Sequence, residues 1–358
     1  GIVREDPQRR FRLMVFMSKA CPWSRHLAGG LQALGAEVHV FDFQDDYESG
    51  YVSRRVPGIA ADAQALGGLV TAVHLVRPRA RGKMRYVLGA ADLRRTIARV
   101  RPDALFALYG GGYSIASYLS GFRPYFTYAV GSDVLLASPL MQAINRVTFG
   151  NASAVFANGE HLARRAREQA PGATVIPLLM GVDTSALPLA APQGPTVQLV
   201  CIRGFQPVYN NESVIRALAR LPGDLPDFRF VFTSGGPQLA QARELADKIL
   251  PEPMRTKVEF RGGVSSQEIT RALASSHTFV SYSRSDGTAT ALLEGLACGL
   301  FPILSDIPAN RPWVDRGVGN GELVALDNEA ALARALEQVI RDPSRGVQHR
   351  SYNRELVM

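Results

Sequence analysis

An α/β fold built from two parallel, doubly wound sheets is predicted by three observations. Strand-length apolar runs alternate with helical patterns along almost all of the 358 residues. A stretch rich in Pro, Gly and Ala, residues 187–196, divides the alternation into two series. Polar, glycine-bearing loops follow several of the strands, and open α/β sheets bind ligands at such places.

The first series opens with a strand at 12–17 and a helix at 28–34 that Gly35 closes. Strands follow at 37–42 and 69–75, a basic helix at 91–100, and strands at 104–109, 125–130, 154–157 and 174–177. The second series has strands at 197–202, 229–233, 257–260, 278–282, 301–304 and 322–324. Helices are expected at 213–219 and 238–249, with a charged helix at 329–341. Near-continuous apolar strands between helices imply parallel sheets covered on both faces. The expected organisation is a first Rossmann-like domain at 1–187, a linker at 188–196 and a second Rossmann-like domain at 197–342. Residues 343–358 are expected to begin a C-terminal helix that crosses back to the first domain.

Composition narrows the class. The chain is 46% hydrophobic, which suffices for two cores. Its three cysteines, Cys21, Cys201 and Cys298, lie far apart in apolar settings, as expected of packed thiols in a reducing compartment. No apolar run approaches a membrane span, and the N-terminus is charged, unlike a signal peptide. The net charge of +8 belongs wholly to residues 1–190, with 22 Lys+Arg against 14 Asp+Glu; residues 191–358 have 18 of each. Much of the excess lies at 77–101, where nine cations are offset by Asp92 alone. Such a cluster suits an anionic membrane surface or a lipid-diphosphate. Nucleic acid is not expected, since interleaved aromatics and nucleic-acid motifs are missing.

The densest chemistry lies at 278–312. An apolar strand leads into a polar loop with Asp286 and Gly287, then a short helix from about Thr288 to Cys298, closed by Gly299 before a second buried strand. A loop entering a helix N-terminus offers unpaired N–H groups and the positive end of the dipole, which suit phosphate. Asp286 and Glu294 flank it, eight positions apart. Helical rise would separate them by ~12 Å, about the span from sugar to ribose in a nucleotide sugar. One acid is expected to hold each end, with the diphosphate between.

Asp286-x7-Glu294, continued by Leu-Leu-Glu-Gly-Leu-Ala-Cys-Gly, resembles the E-x7-E motif of the family 4 retaining glycosyltransferases of the GT-B fold. Here Asp replaces the first Glu and reaches one methylene less far. The resemblance extends over nearly the whole chain and implies two Rossmann-like domains whose parallel sheets face an interdomain cleft. It assigns Arg203, after the first strand of the second domain, to the donor diphosphate, for which a guanidinium's paired donors are suited. The lysine that accompanies this arginine in the family is missing, and Tyr209 and Asn210 stand near its place. Gly235, in the turn Ser234-Gly-Gly-Pro237, resembles the family's glycine-rich turn, and Val264 borders the expected nucleobase position. Backbone groups at Gly287, Thr288, Ala289 and Thr290 would meet the phosphate, Glu294 the ribose and Asp286 the sugar.

In the first domain Gly131-Ser-Asp133 resembles the H-G-x-D loop, with Val130 at the histidine position; Asp133 is the expected polar group there. Gly110-Gly-Gly-Tyr113 is expected to be a flexible loop. The segment Ser18–His26 replaces the family's glycine pair and is expected to contact the acceptor. Gly181-Val-Asp183 is read as a structural turn.

The implied activity is retaining transfer of a sugar from a nucleotide-diphosphate sugar, UDP-sugar favoured and GDP-sugar next, to a glycan or lipid-linked acceptor in bacterial surface polysaccharide or glycolipid assembly. No cofactor is required, and the D-x-D motif of metal-dependent transferases is missing, so no metal is expected. The expected location is cytoplasmic, peripheral at the inner face of the plasma membrane. The competing reading is a non-catalytic GT-B binding subunit of a glycosylation complex, which the changes at Val130, at the lysine position and at Asp286 favour.

Overall fold

The computed structural model describes residues 10–18, 22–43 and 66–358, and the chain divides into two compact units with the passage at Leu179–Met180. In the first unit the elements run β1 (Arg12–Phe16), α1 (Pro22–Ala33), β2 (Glu37–Phe43), β3 (Ala72–Val76), α2 (Met84–Val100), β4 (Ala104–Ala107) and α3 (Gly111–Leu119). They continue through β5 (Tyr125–Ala129), α4 (Ser132–Leu135), α5 (Pro139–Gly150), β6 (Ala154–Ala157), α6 (Glu160–Gln169) and β7 (Val175–Pro177). The sheet order is β3-β2-β1-β4-β5-β6-β7, and every pairing is parallel.

The second unit comprises β8 (Val197–Cys201), α7 (Asn211–Leu218), β9 (Phe228–Phe232), α8 (Leu239–Ile249), α9 (Glu252–Arg255), β10 (Val258–Phe260) and α10 (Ser266–Ala274). Then come β11 (Thr278–Ser281), α11 (Thr290–Ala297), β12 (Phe301–Ser305), β13 (Glu322–Val324), α12 (Glu329–Arg341), α13 (Ser344–Gln348) and α14 (Arg350–Glu355). Its order, β10-β9-β8-β11-β12-β13, reverses direction between β8 and β11. At that switch point the loops leaving the two strands diverge to opposite faces and leave a crevice, the usual ligand position in such sheets.

The side-chain alternation of β8 explains the two layers. Leu199 and Cys201 pack with α7, α8, α12 and the phenylalanines of β9; Val200 and Ile202 pack with α10 and α11 on the other face. A strand apolar on both faces has to lie inside a sheet, and β8 does. Cys201 and Cys298 are buried free thiols; Cys21 lies outside the described residues.

Two expectations change at this level. Gly110 to Gly112 do not form a flexible loop: Gly110 caps α3, and Gly111 is already buried in its first turn. The close approach is why glycine is needed, since a Cβ on Gly112 would fall inside the Tyr86 ring. Residues 343–358 do not begin one long helix. They form α13 and α14, and α14 is fixed to the second unit. Asn353, fully buried, donates to Leu300 O (2.9 Å) and Asn320 O (3.0 Å) and accepts from Asn320 Nδ2 (2.7 Å). Arg354 donates to Ala297 O (2.6 Å), Leu187 O (2.7 Å) and Thr184 O (3.1 Å), placing its cation at the C-terminal end of α11. The stretch 188–196 is equally tied down, with Ala190 N–H on Cys298 O (2.8 Å) and Ala191 N–H on Ala274 O (2.8 Å).

Replacing Asn353 by Ala removes the side-chain donor to two carbonyls and the acceptor of one Asn320 amide N–H, the other staying on Trp313 O. The expected loss is about 2–3 kcal/mol of unfolding free energy, read from denaturant titration of the wild type and the variant.

Candidate functional site

The loop leaving β8 carries Arg203. Its backbone is held by Asn211, whose Nδ2 donates to Arg203 O (3.3 Å) and Gly204 O (3.0 Å). The guanidinium lies 4.0 Å above the Tyr209 ring and is only 7% exposed, so it is fixed in place rather than swept through solvent. Tyr209 ends a short 3₁₀ turn, Pro207–Tyr209, and Asn210 joins it to α7 in the left-handed conformation (φ 54°), which asparagine tolerates better than most residues.

The loop leaving β11 carries Asp286. Arg284 N–H donates to Val208 O (2.8 Å), which binds this loop to the Tyr209 turn. Ser305 Oγ donates to Ser283 O (2.6 Å), and Asn310 Nδ2 in turn holds Ser305 O (2.9 Å). The first of these bonds crosses the switch point and the others tie the loop to β12; the Asp286 carboxylate stands 2.5 Å from Arg203 Nη2. Gly287, Thr288 and Ala289 are buried, and the helix begins at Thr290, two residues later than the sequence predicts. Asp286 therefore stands on the loop. The separation of Asp286 from Glu294 is not a helical rise, and the Arg203 guanidinium acts electrostatically on both acids.

The two acids differ. Burial pushes the Asp286 carboxyl up, while Arg203 and the Gly287 N–H pull it back. Glu294 sits in α11 without such a partner among the described residues; burial raises its carboxyl to about 7, only partly countered by Arg203.

Gly235 and Gly236 follow β9. Gly235 O accepts from Phe205 N–H (2.9 Å), and a Cβ on Gly236 (φ 150°) would lie 2.6 Å from Phe205 N. This turn therefore braces the Arg203 loop. Val264, partly exposed, lies between β10 and the N-terminus of α10. Ser265 and Glu268 form a reciprocal capping box there, a fixed feature that the Ser-x-x-Glu spacing could have revealed. Arg203, Tyr209, Gly235, Val264, Asp286 and Glu294 all belong to the second unit, on loops or a helix following the C-terminal ends of its strands.

Asp133 belongs to the first unit. Its carboxylate is buried and accepts from the N–H groups of Gly110 (2.7 Å), Gly131 (2.8 Å) and Val130 (3.2 Å), which join the loops after β4 and β5. Desolvation pushes this carboxyl up against those bonds. Beside it Tyr109 Oη lies 2.8 Å from Ser132 Oγ. In the Ser18–His26 segment, residues 19–21 lie outside the described residues, and from Pro22 onward the backbone is helical. Among the described residues no group of three or more His, Cys, Asp or Glu side chains could hold a metal ion.

Comparison with known proteins bears on the fold. Residues 191–356 match the family model described as glycosyl transferases group 1. A GDP-mannose:cellobiosyl-diphosphopolyprenol alpha-mannosyltransferase of Xanthomonas campestris is 29% identical over 128 residues, which are 35% of this chain and 33% of that protein. The matched stretch thus spans about a third of that curated relative. Among solved structures, sucrose-phosphate synthase of Thermosynechococcus elongatus superposes with a TM-score of 0.76 at 15% identity, covering 97% of this chain and 94% of the other. Anabaena HepE in complex with UDP and glucose does so with a TM-score of 0.76 at 15% identity, covering 97% and 95%. These likenesses establish the fold, two Rossmann-like domains of the GT-B type.

The raised Glu294 carboxyl has a testable sign. A folded-state value near 7, above the ordinary 4.5, means that the fold binds the proton more tightly than the unfolded chain does. Stability therefore falls as pH rises from about 4.5 to about 7 and is level beyond. Glu294→Gln removes that dependence. Its melting temperature should exceed that of the wild type at pH 8 and approach it at pH 4.5, as followed by differential scanning fluorimetry.

Proposed function

We propose that this protein is a retaining glycosyltransferase that uses a nucleotide-diphosphate sugar and transfers the sugar to a glycan or lipid-linked acceptor. The observation that carries the reading is the meeting of Arg203, Asp286, Glu294 and the start of α11 at the switch point of the second sheet. The glycosyl transferases group 1 match covers the same residues. Similar proteins are named for, or hold, GDP-mannose, UDP and UDP-glucose, so UDP- and GDP-sugars are the donors to test first.

In this reading the diphosphate lies against Arg203 and the N–H groups of Gly287 to Thr290, donors already fixed before reaction. Asp286 accepts from the sugar hydroxyls and Glu294 from the ribose hydroxyls. The bond from C1 to the β-phosphate oxygen breaks as the acceptor hydroxyl oxygen bonds C1 on the same face. The hydroxyl proton passes to the departing phosphate, and the nucleoside diphosphate leaves. Asp133, accepting from the Gly110, Val130 and Gly131 N–H groups, fixes the loops after β4 and β5 of the first unit. The binding-subunit alternative predicts nucleotide binding with no transfer.

An anionic membrane surface remains the preferred partner of the first unit. Along the exposed side of α2 the stripe Met84, Val87, Leu88 and Ala91 continues into Arg94 and Arg95, with exposed Arg81 and Lys83 just before it. Met84 is 55% exposed, Val87 39% and Leu88 41%, so an apolar strip is bordered by cations, as on interfacial helices. No helix among the described residues is long and apolar enough to cross a membrane.

Arg203→Ala should weaken UDP or GDP binding by about tenfold or more, the effect of losing a charged hydrogen bond. Asp286→Ala should abolish transfer while the protein remains folded; wild-type turnover in that variant would sink the donor-site assignment. For the membrane, the wild type should sediment with vesicles containing phosphatidylglycerol but not with pure phosphatidylcholine. Val87→Asp with Leu88→Asp should remove that binding.

A further inference from the structure

The resting contact between Arg203 and Asp286 has the geometry of a competition. Arg203 has little freedom to leave it: Tyr209 covers one face of the guanidinium, Asn211 holds the backbone, and the side chain is 7% exposed. A diphosphate arriving at the N-terminus of α11 must share this cation with the carboxylate that is 2.5 Å from it. The added phosphate charge lies beside Asp286 and repels it, as like charges do at short range. A bare nucleoside diphosphate offers the carboxylate nothing in return. A nucleotide sugar brings hydroxyl donors with the phosphate, and these satisfy the acceptor that the phosphate has displaced.

We infer that Asp286 is the residue that discriminates the intact sugar nucleotide from the bare nucleoside diphosphate, by holding Arg203 against phosphate ligands that carry no sugar. This rests on the donor site proposed above and specifies how it is regulated. The same carboxylate that helps to hold the donor opposes the product left after transfer. Release of the diphosphate is then assisted by Asp286 returning to Arg203. A role confined to sugar binding makes a different prediction, since removing the charge would leave diphosphate affinity unchanged. A purely structural role would lower every affinity.

The test is calorimetric titration of the wild type, Asp286→Asn and Asp286→Glu with UDP, GDP, UDP-glucose and GDP-mannose, with thermal melts to confirm folding. In the wild type the sugar nucleotide of the matching base should bind more tightly than its diphosphate. In Asp286→Asn the diphosphate should bind about tenfold tighter than in the wild type, the effect of removing one like charge worth a pKa unit. The sugar nucleotide should bind more weakly, so that the preference collapses; Asp286→Glu, which keeps the charge, should retain it. Asp286→Ser carries the same reading if the Asn variant does not fold. Unchanged or weaker diphosphate binding in a folded, uncharged variant would overturn the inference while leaving the donor site standing. Failure of the wild type to bind any of the four ligands would remove the donor site and the inference together.

Discussion

The ion pair between Arg203 and Asp286 is the constraint around which the second unit is organised. The two residues leave strands that are adjacent in the sheet but 83 positions apart in the chain, β8 and β11. The strand order reverses here, and the helices that follow the two strands pack on opposite faces, which leaves room between them for the two side chains to meet. The surrounding bonds serve that meeting. Asn211 holds the Arg203 backbone, the glycines at 235 and 236 brace its loop, and Arg284 N–H locks the Asp286 loop to the Tyr209 turn. None of these bonds is strong alone. Together they restrict two charged side chains that water would otherwise separate, and a largely buried ion pair is favourable only when its geometry is fixed in this way.

The far end of α11 is held as firmly as its N-terminus. Gly299 stops the helix, and a Cβ there would lie 2.7 Å from Arg350 O, so α14 docks directly on the turn. Arg354 then reaches Ala297 O at the last turn of α11 and also Thr184 O and Leu187 O. The cation answers the negative end of the same dipole whose positive end faces the candidate phosphate position. The C-terminal residues thus fix the axis along which α11 presents its first turn.

Much of this was legible in the sequence, and the limits have physical causes. Strand identities came through because a buried parallel strand is apolar on both faces, and β8, β9, β11 and β12 have no polar alternation to confuse them. Asp286 and Glu294 were legible as a pair because glycine, acid and helix signals coincide at 286–299, whereas Arg203 was assigned by the family resemblance alone. Their mutual geometry was not legible. A loop of Gly287, Thr288 and Ala289 has no periodicity, so the later helix start and the ion pair across 83 residues left no local trace. The α3 start was misread for a related reason: three consecutive glycines signal freedom, yet the Tyr86 ring leaves no space for a Cβ at Gly112, nor the Asp133 carboxylate for one at Gly110. The tail resisted because α13 and α14 are each six residues or fewer, too short for a helical period to show.

The charge of the candidate site resolves an apparent contradiction. Two carboxylates and one guanidinium would give a resting charge of minus one, which is a poor beginning for a site that is to hold a diphosphate. The environments of the two acids differ enough to remove the difficulty. Burial raises both carboxyls; at Asp286 it is opposed by Arg203 and the Gly287 N–H, whereas at Glu294, raised to about 7, it is opposed by Arg203 alone. Near neutral pH, then, Glu294 is neutral for much of the time, and Arg203 balances Asp286. The resting charge of these three groups lies close to zero, and the positive end of the α11 dipole supplies the remaining attraction for an anion. Two acids eight positions apart can thus serve a phosphate ligand because burial reduces their combined charge and Arg203 opposes what is left.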